Sequence, residues 1–77
     1  MRLSPVEREI LVTLHDRGDN VPKGIADRSG YHSKSVSRSL RNLNEDGLVR
    51  RKNEYGVWTL TPDGREVAAR LDRNTTD

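Results

Sequence analysis

Apolar residues recur along this chain with a helical period in four places and alternate in one. Over residues 4–18, Val6, Ile10 and Leu14 fall four apart with Leu11 beside them, which predicts a helix buried along one stripe. Ser4 suits its N-cap, Pro5 its first position and Glu7 a capping box with Ser4, while Gly18 predicts a left-handed cap at its end. Val12 points away from the stripe, either as a lone exposed valine or as part of a contact between copies. A shorter helix is expected from Pro22 to Gly30, with Ile25 and Ala26 inward and Gly24 weakening its first turn by up to about 1 kcal/mol relative to alanine. Asn20 and Val21, just before it, suit a very short strand.

In GYHSKSVSRSLRNL, residues 30–43, two periods compete. Serine stands at 33, 35, 37 and 39, as in a strand, but Val36, Leu40 and Leu43 are spaced by four and three. With Val36 at the origin of a helical wheel, Leu40 falls at about 40° and Leu43 at about −20°, whereas Lys34, Arg38 and Arg41 fall at about 160°, 200° and 140°. A helix from about Ser33, its N-cap, to Asp46 therefore buries three aliphatic side chains and turns three cations outward, with Gly47 as the C-terminal cap. Two β-rich runs, Leu48–Lys52 and Val57–Thr61, then flank NEYG, which predicts a hairpin with a four-residue loop and Gly56 at positive φ. Trp58 and Leu60 share one face of it, and Leu60 should reach the core. In TPDGREVAARL, Thr61 caps a fourth helix whose inner stripe is Val67, Ala68 and Leu71. DRNTTD at 72–77 has nothing to bury and reads as a frayed tail, which leaves residues 1–71 as a single domain.

Composition narrows the chemistry. A chain of 77 residues without cysteine has no disulfide, thiolate metal site or thiol nucleophile. No apolar run approaches the roughly 20 residues a membrane helix needs, and no leader pattern follows Met1, so a cytoplasmic protein is expected. His15 and His32 have no partner at metal-ligand spacing, and Ser, His and Asp fall in no triad pattern, so neither metal, cofactor nor enzymatic activity is expected. Net charge is only +2, yet residues 31–52 hold six basic and two acidic groups, while residues 1–30 balance and residues 53–77 are acidic. Positive charge concentrated in one stretch is either a solvated face or a phosphate-facing one.

Ala26, Gly30 and Val36, spaced by four and six, suit two helices crossing at a steep angle: a small residue where they approach, a glycine at the turn and a branched apolar residue to lock the pair. IADRSGYHSKSVSRSLRNLNEDGLVRR, followed by a hairpin and LTPDG, resembles the winged helix-turn-helix DNA-binding domain over about residues 4–71. The resemblance is to short regulators of archaea and their viruses and, more loosely, to multiple-antibiotic-resistance-type repressors. It implies a mostly α fold with a small β-hairpin, ordered α, short β, α, α, β, β, α. It also implies that the third helix enters the major groove of double-stranded DNA while the hairpin wing lies on the backbone or in the minor groove. Carried over by position, Ser33, Lys34, Ser35, Ser37, Arg38 and Arg41 take recognition-helix places; Arg50, Arg51, Lys52, Asn53 and Tyr55 take wing places; and Lys23 takes a phosphate-contacting one.

These residue types suit DNA. Arginine can bond both O6 and N7 of guanine, serine can donate to phosphate or base edges, and wing cations hold position and set salt sensitivity. Of Arg50, Arg51 and Lys52, at least one is expected to lie against the sheet or to pair with an acidic neighbour. Trp58 suits core or wing support better than base stacking. Tyr31 and His32 depart from the small apolar and polar residues usual in the turn. Glu54, near the wing tip, is repelled by phosphates. The expected function is a sequence-specific transcriptional regulator, a repressor acting by promoter occupancy on the nucleoid, with no small-molecule effector apparent and with homodimerisation through the first and fourth helices as an open alternative. The rival expectation is a winged helix used as a protein-interaction module, motivated by the low net charge and Glu54.

Overall fold

The computed structural model describes residues 2–74, with side chains through Leu71. Its elements run α1 (Pro5–Arg17), α2 (Pro22–Ser29), α3 (Ser33–Glu45), β1 (Val49–Arg51), β2 (Trp58–Leu60) and α4 (Pro62–Asn74). Residues 72–74 thus continue α4, and residues 75–77, the rest of the expected tail, lie outside the described residues.

Each helix begins and ends where local chemistry dictates. The Ser4 capping box is complete: Glu7 N–H donates to Ser4 Oγ at 3.2 Å, and Ser4 N–H donates to Glu7 Oε1 at 2.8 Å. Gly18 ends α1, but with φ 90° and ψ −172° it is not the left-handed cap the sequence suggested. Its N–H still closes the helix on Leu14 O at 3.0 Å, and the extended ψ sends the chain straight into the bridge at Asn20. Gly30, at φ 81° and ψ 3°, is left-handed and turns α2 into α3. The N-cap of α3 is His32, not Ser33, and it makes no side-chain cap bond. At the other end Gly47 N–H bonds Asn44 O (3.0 Å) and Leu48 N–H bonds Leu43 O (2.9 Å), a Schellman motif whose accompanying apolar pair, Leu43 and Leu48, is buried.

The hairpin is antiparallel, with Val49 opposite Leu60, Arg50 opposite Thr59 and Arg51 opposite Trp58. The strands are shorter than the β-rich runs, although Lys52 N–H still bonds Val57 O at 2.7 Å. The short strand expected at Asn20 and Val21 is a single bridge: Asn20 and Trp58 exchange backbone hydrogen bonds of 3.2 and 2.8 Å, so β2 is flanked on both sides.

One core joins all these pieces. Ile10, Leu11, Leu14, Ile25, Ala26, Val36, Leu40, Leu43, Leu48, Val49, Trp58, Leu60 and Ala68 are buried together, with Val6, Val67 and Leu71 packed against them. At the base of the wing Thr61 ties three elements together, and its carbonyl starts the α4 hydrogen-bond ladder by accepting from Arg65 N–H (2.9 Å). Its N–H donates to Leu48 O (3.1 Å), its hydroxyl donates to Gly47 O (2.6 Å), and its Oγ1 accepts from Gly64 N–H (3.0 Å). The N-terminus of α4 is thereby stapled to the junction of α3 and β1. Replacing Thr61 with valine keeps the shape but removes the two hydroxyl bonds, and is expected to cost about 1–2 kcal/mol in thermal or urea unfolding. An unchanged midpoint would mean that the staple contributes nothing.

Candidate nucleic-acid interface

The α2–α3 pair sets the interface. Ala26 leaves room where the two helices cross, Gly30 makes the turn, and Val36, fully buried, locks α3 against the core together with Leu40 and Leu43. Ser39 is buried at the flank of the same stripe. With that side fixed, Ser33, Lys34, Ser35, Arg38 and Arg41 are exposed and Ser37 is half-buried. None of Lys34, Arg38 and Arg41 forms an ion pair with a described residue. Three cations on an open helix face without internal counter-ions form a surface that attracts anions. Lys23, in the first turn of α2, is exposed as well.

The wing residues do not act as one group, because strand register divides them. Arg51 lies opposite Trp58 and shares its face with buried Val49 and Leu60, so it extends the face that packs on the core. Arg50 lies opposite Thr59, and by alternation Lys52 joins it on the outer face. Lys52 is the wing cation that meets an acid: its Nζ lies 2.8 Å from Asp19 Oδ2. The hydrogen bond from the Lys52 ammonium, then the Thr59 side chain, hold the Asp19 carboxyl below the ordinary carboxylate value; burial opposes this, and the charges of Lys52 and Arg65 add to it. Because the folded pKa is depressed, the stability this pair confers is present at neutral pH and lost as pH falls through the acid range.

Asn53 organises the wing tip. Its Oδ1 accepts from Tyr55 N–H at 2.9 Å and, more weakly, from Val57 N–H at 3.4 Å, so the carbonyl is committed to the turn. Gly56 has φ 83°, the positive value the loop required. Tyr55, at the tip, is 81% exposed. Trp58 is buried and serves the core, so it offers no stacking face. Sequence reasoning missed the part played by Asp19. Its signal was present only as a carboxylate beside the residue that bridges to β2, and nothing in the linear order links it to Lys52, 33 residues away.

Three helices and a hairpin arranged so that the third helix is clamped by its apolar side and flanked by a β-wing define a winged helix-turn-helix. A family model for the MarR family matches residues 3–54. The chain belongs to the MarR family. Solved structures agree with this fold. A MarR family regulator from Neisseria meningitidis superposes with a TM-score of 0.83 at 23% identity, covering 94% of this chain and 54% of that one. The MarR family transcriptional regulator SPO1453 from Silicibacter pomeroyi matches at 0.84 and 27% identity, with 94% and 54% coverage. The Zα domain of Carassius auratus PKZ, in complex with Z-DNA, matches at 0.69 and 33% identity, covering 73% of this chain and 92% of the domain. The chain therefore spans about half the length of the MarR regulators it matches. No curated protein matches it.

Proposed function

We propose that this chain is a sequence-specific, double-stranded DNA-binding transcriptional regulator that represses by occupying a promoter. The carrying observation is the orientation of α3: Val36, Leu40 and Leu43 are fully buried while Lys34, Arg38 and Arg41 are exposed and form no ion pair with a described residue. In this reading α3 lies in the major groove, where Arg38 and Arg41 read base edges, and Ser33, Lys34, Ser35 and Ser37 near its N-terminus meet phosphates and bases. Arg51 and Lys23 hold the backbone on either side, and Tyr55 reaches out from the wing tip. Arg50, on the outer face of the hairpin, adds charge at longer range.

Two copies pairing through α1 and α4 would place two recognition helices about one helical turn apart on a palindromic site. A groove of about 290 Å³ lined by Pro5, Arg8, Glu9, Val12, Tyr31 and Leu71 lies on that side of the molecule. Promoter occupancy would place its work in the cytoplasm on the nucleoid; no helix among the described residues is long and apolar enough to cross a membrane.

Selection of bound sites from a random duplex pool tests the reading. A recovered motif is expected, bound more tightly at about 50 mM than at about 200 mM salt because phosphate contacts release counter-ions. Absence of any duplex binding at about 50 mM salt and micromolar protein would defeat it. A second reading rests on the Zα match, which is the more similar in sequence and is nearly spanned end to end. A left-handed duplex would be recognised through backbone charge and shape, for which the same α3 cations serve. Circular dichroism of an alternating CG duplex separates the two, since a Z-form binder inverts its spectrum and a B-form reader does not.

A further inference from the structure

Lys52 sits on the wing, where a cation would be expected to meet phosphate, yet its ammonium is already answered within the protein. Asp19 Oδ2 is 2.8 Å from Nζ, across 33 residues of sequence. The backbone beside that carboxylate is fixed: the next residue, Asn20, is tied to Trp58 by two backbone bonds, and the Thr59 side chain also favours the charged carboxylate. Gly18, extended at positive φ, aims the loop at this spot. Asp19 is thus held over the face of the hairpin opposite Trp58 and Leu60, the face that carries exposed Arg50 and buried Thr59. A cleft lined by Leu14, His15, Gly18, Asp19, Thr59, Leu60 and Arg65 opens beside it.

We propose that Asp19 is a positioning residue that occupies the place a phosphate would take at Lys52, so that Lys52 fixes the wing to the α1–α2 loop instead of contacting the duplex. The consequence is a limit on sequence-independent affinity. A further phosphate contact would raise binding to every DNA equally, whereas an internal counter-ion leaves discrimination to Arg38 and Arg41. The pair also fixes where the hairpin stands relative to α3, because one end of the bond lies in the loop before α2 and the other at the start of the wing turn. This inference rests on the DNA-binding reading above.

Three variants test it: Asp19→Asn, Lys52→Met and the double variant. For each, affinity for the selected site and for an unrelated duplex is measured against salt. Asp19→Asn is expected to steepen the dependence of log affinity on log salt by about 0.9, so that raising salt from about 50 to about 200 mM costs an extra factor of about 3.5. It should also narrow the ratio between selected and unrelated DNA. Lys52→Met alone should leave the slope as in the wild type, and the double variant should return it there. A merely structural role for Asp19 predicts no gain in slope and no reversal by the second substitution.

Equal slopes in the wild type and Asp19→Asn, or a shallower slope in Lys52→Met alone, overturn the proposal while leaving the DNA-binding reading intact. A wild-type chain that binds no duplex overturns both. NMR titration of the Asp19 carboxyl adds a readout without DNA: its pKa should rise in Lys52→Met, and an unmoved value would show that the pair does not form.

Discussion

Replacing Arg38 and Arg41 together with alanine is expected to weaken binding to the selected duplex by about 2–5 kcal/mol without loosening the fold. Each good arginine–guanine pair discriminates by roughly 1–3 kcal/mol, and two residues three apart on one helix face share neighbours, so the sum is less than additive. Both side chains are exposed and neither forms an ion pair with a described residue, so nothing in the core follows them. Alanine is also at least as good a helix former as arginine, and the melting temperature should hold or rise slightly. The conservative pair Arg38→Lys with Arg41→Lys sharpens the test. It keeps the charge but loses the planar fork, so binding to unrelated DNA should survive while preference for the selected site fades. Anisotropy titrations on both duplexes, with thermal melts alongside, read all of this. An alanine pair that binds the selected site as tightly as the wild type would take α3 out of the groove.

That surface was legible because helical periodicity is a property of the chain itself. Once Val36, Leu40 and Leu43 are assigned to the core, the directions of Lys34, Arg38 and Arg41 follow from geometry alone. The Ser4 capping box and the left-handed Gly30 were legible for the same reason, since both depend on residues within a few positions of each other. The wing was less so. At least one of Arg50, Arg51 and Lys52 is expected to lie against the sheet or meet an acid, and Lys52 does meet Asp19, but which face of the alternating strand meets the core is settled by tertiary packing. Asn53 takes a wing place by position in the resemblance, and the part its carbonyl plays in the turn is visible only in the folded loop. His32 takes the N-cap place of α3 instead of Ser33, because after the left-handed Gly30 the chain enters helical geometry one residue earlier than the serine pattern implies. The glycine of TPDG passed as an ordinary part of a helix start, and its reason is visible only in three dimensions.

Gly64 is where the largest loss of stability is expected from a single methyl group. Gly64 is the third residue of α4, and by propensity alone alanine there should stabilise the helix by up to about 1 kcal/mol. Packing points the other way. A Cβ at Gly64 would run into the backbone carbonyl of Leu48, meeting its oxygen and then its carbon. That carbonyl cannot yield easily. Its oxygen accepts the Thr61 N–H at 3.1 Å, its residue closes the Schellman motif of α3 through Leu43, and its side chain is buried in the core. The helix cannot yield either without losing the Gly64 N–H bond to Thr61 Oγ1. Overpacking against backbone therefore outweighs propensity, and Gly64→Ala should cost about 2–4 kcal/mol, or about 10–25 °C in melting temperature for a domain of this size. Gly24 supplies the contrast. There the atoms nearest a Cβ belong to the side chain of Asn20, which can rotate at the expense of its 2.8 Å bond to Val21 N–H, so Gly24→Ala should lose much less. Since the same contact seats the wing against the end of α3, the folded fraction of Gly64→Ala should bind duplex more weakly, even though the residue never meets DNA. A melting temperature within about 3 °C of the wild type would show that α4 can draw back from Leu48 at little cost, and the stapled junction of recognition helix, wing and α4 would then have to be given up.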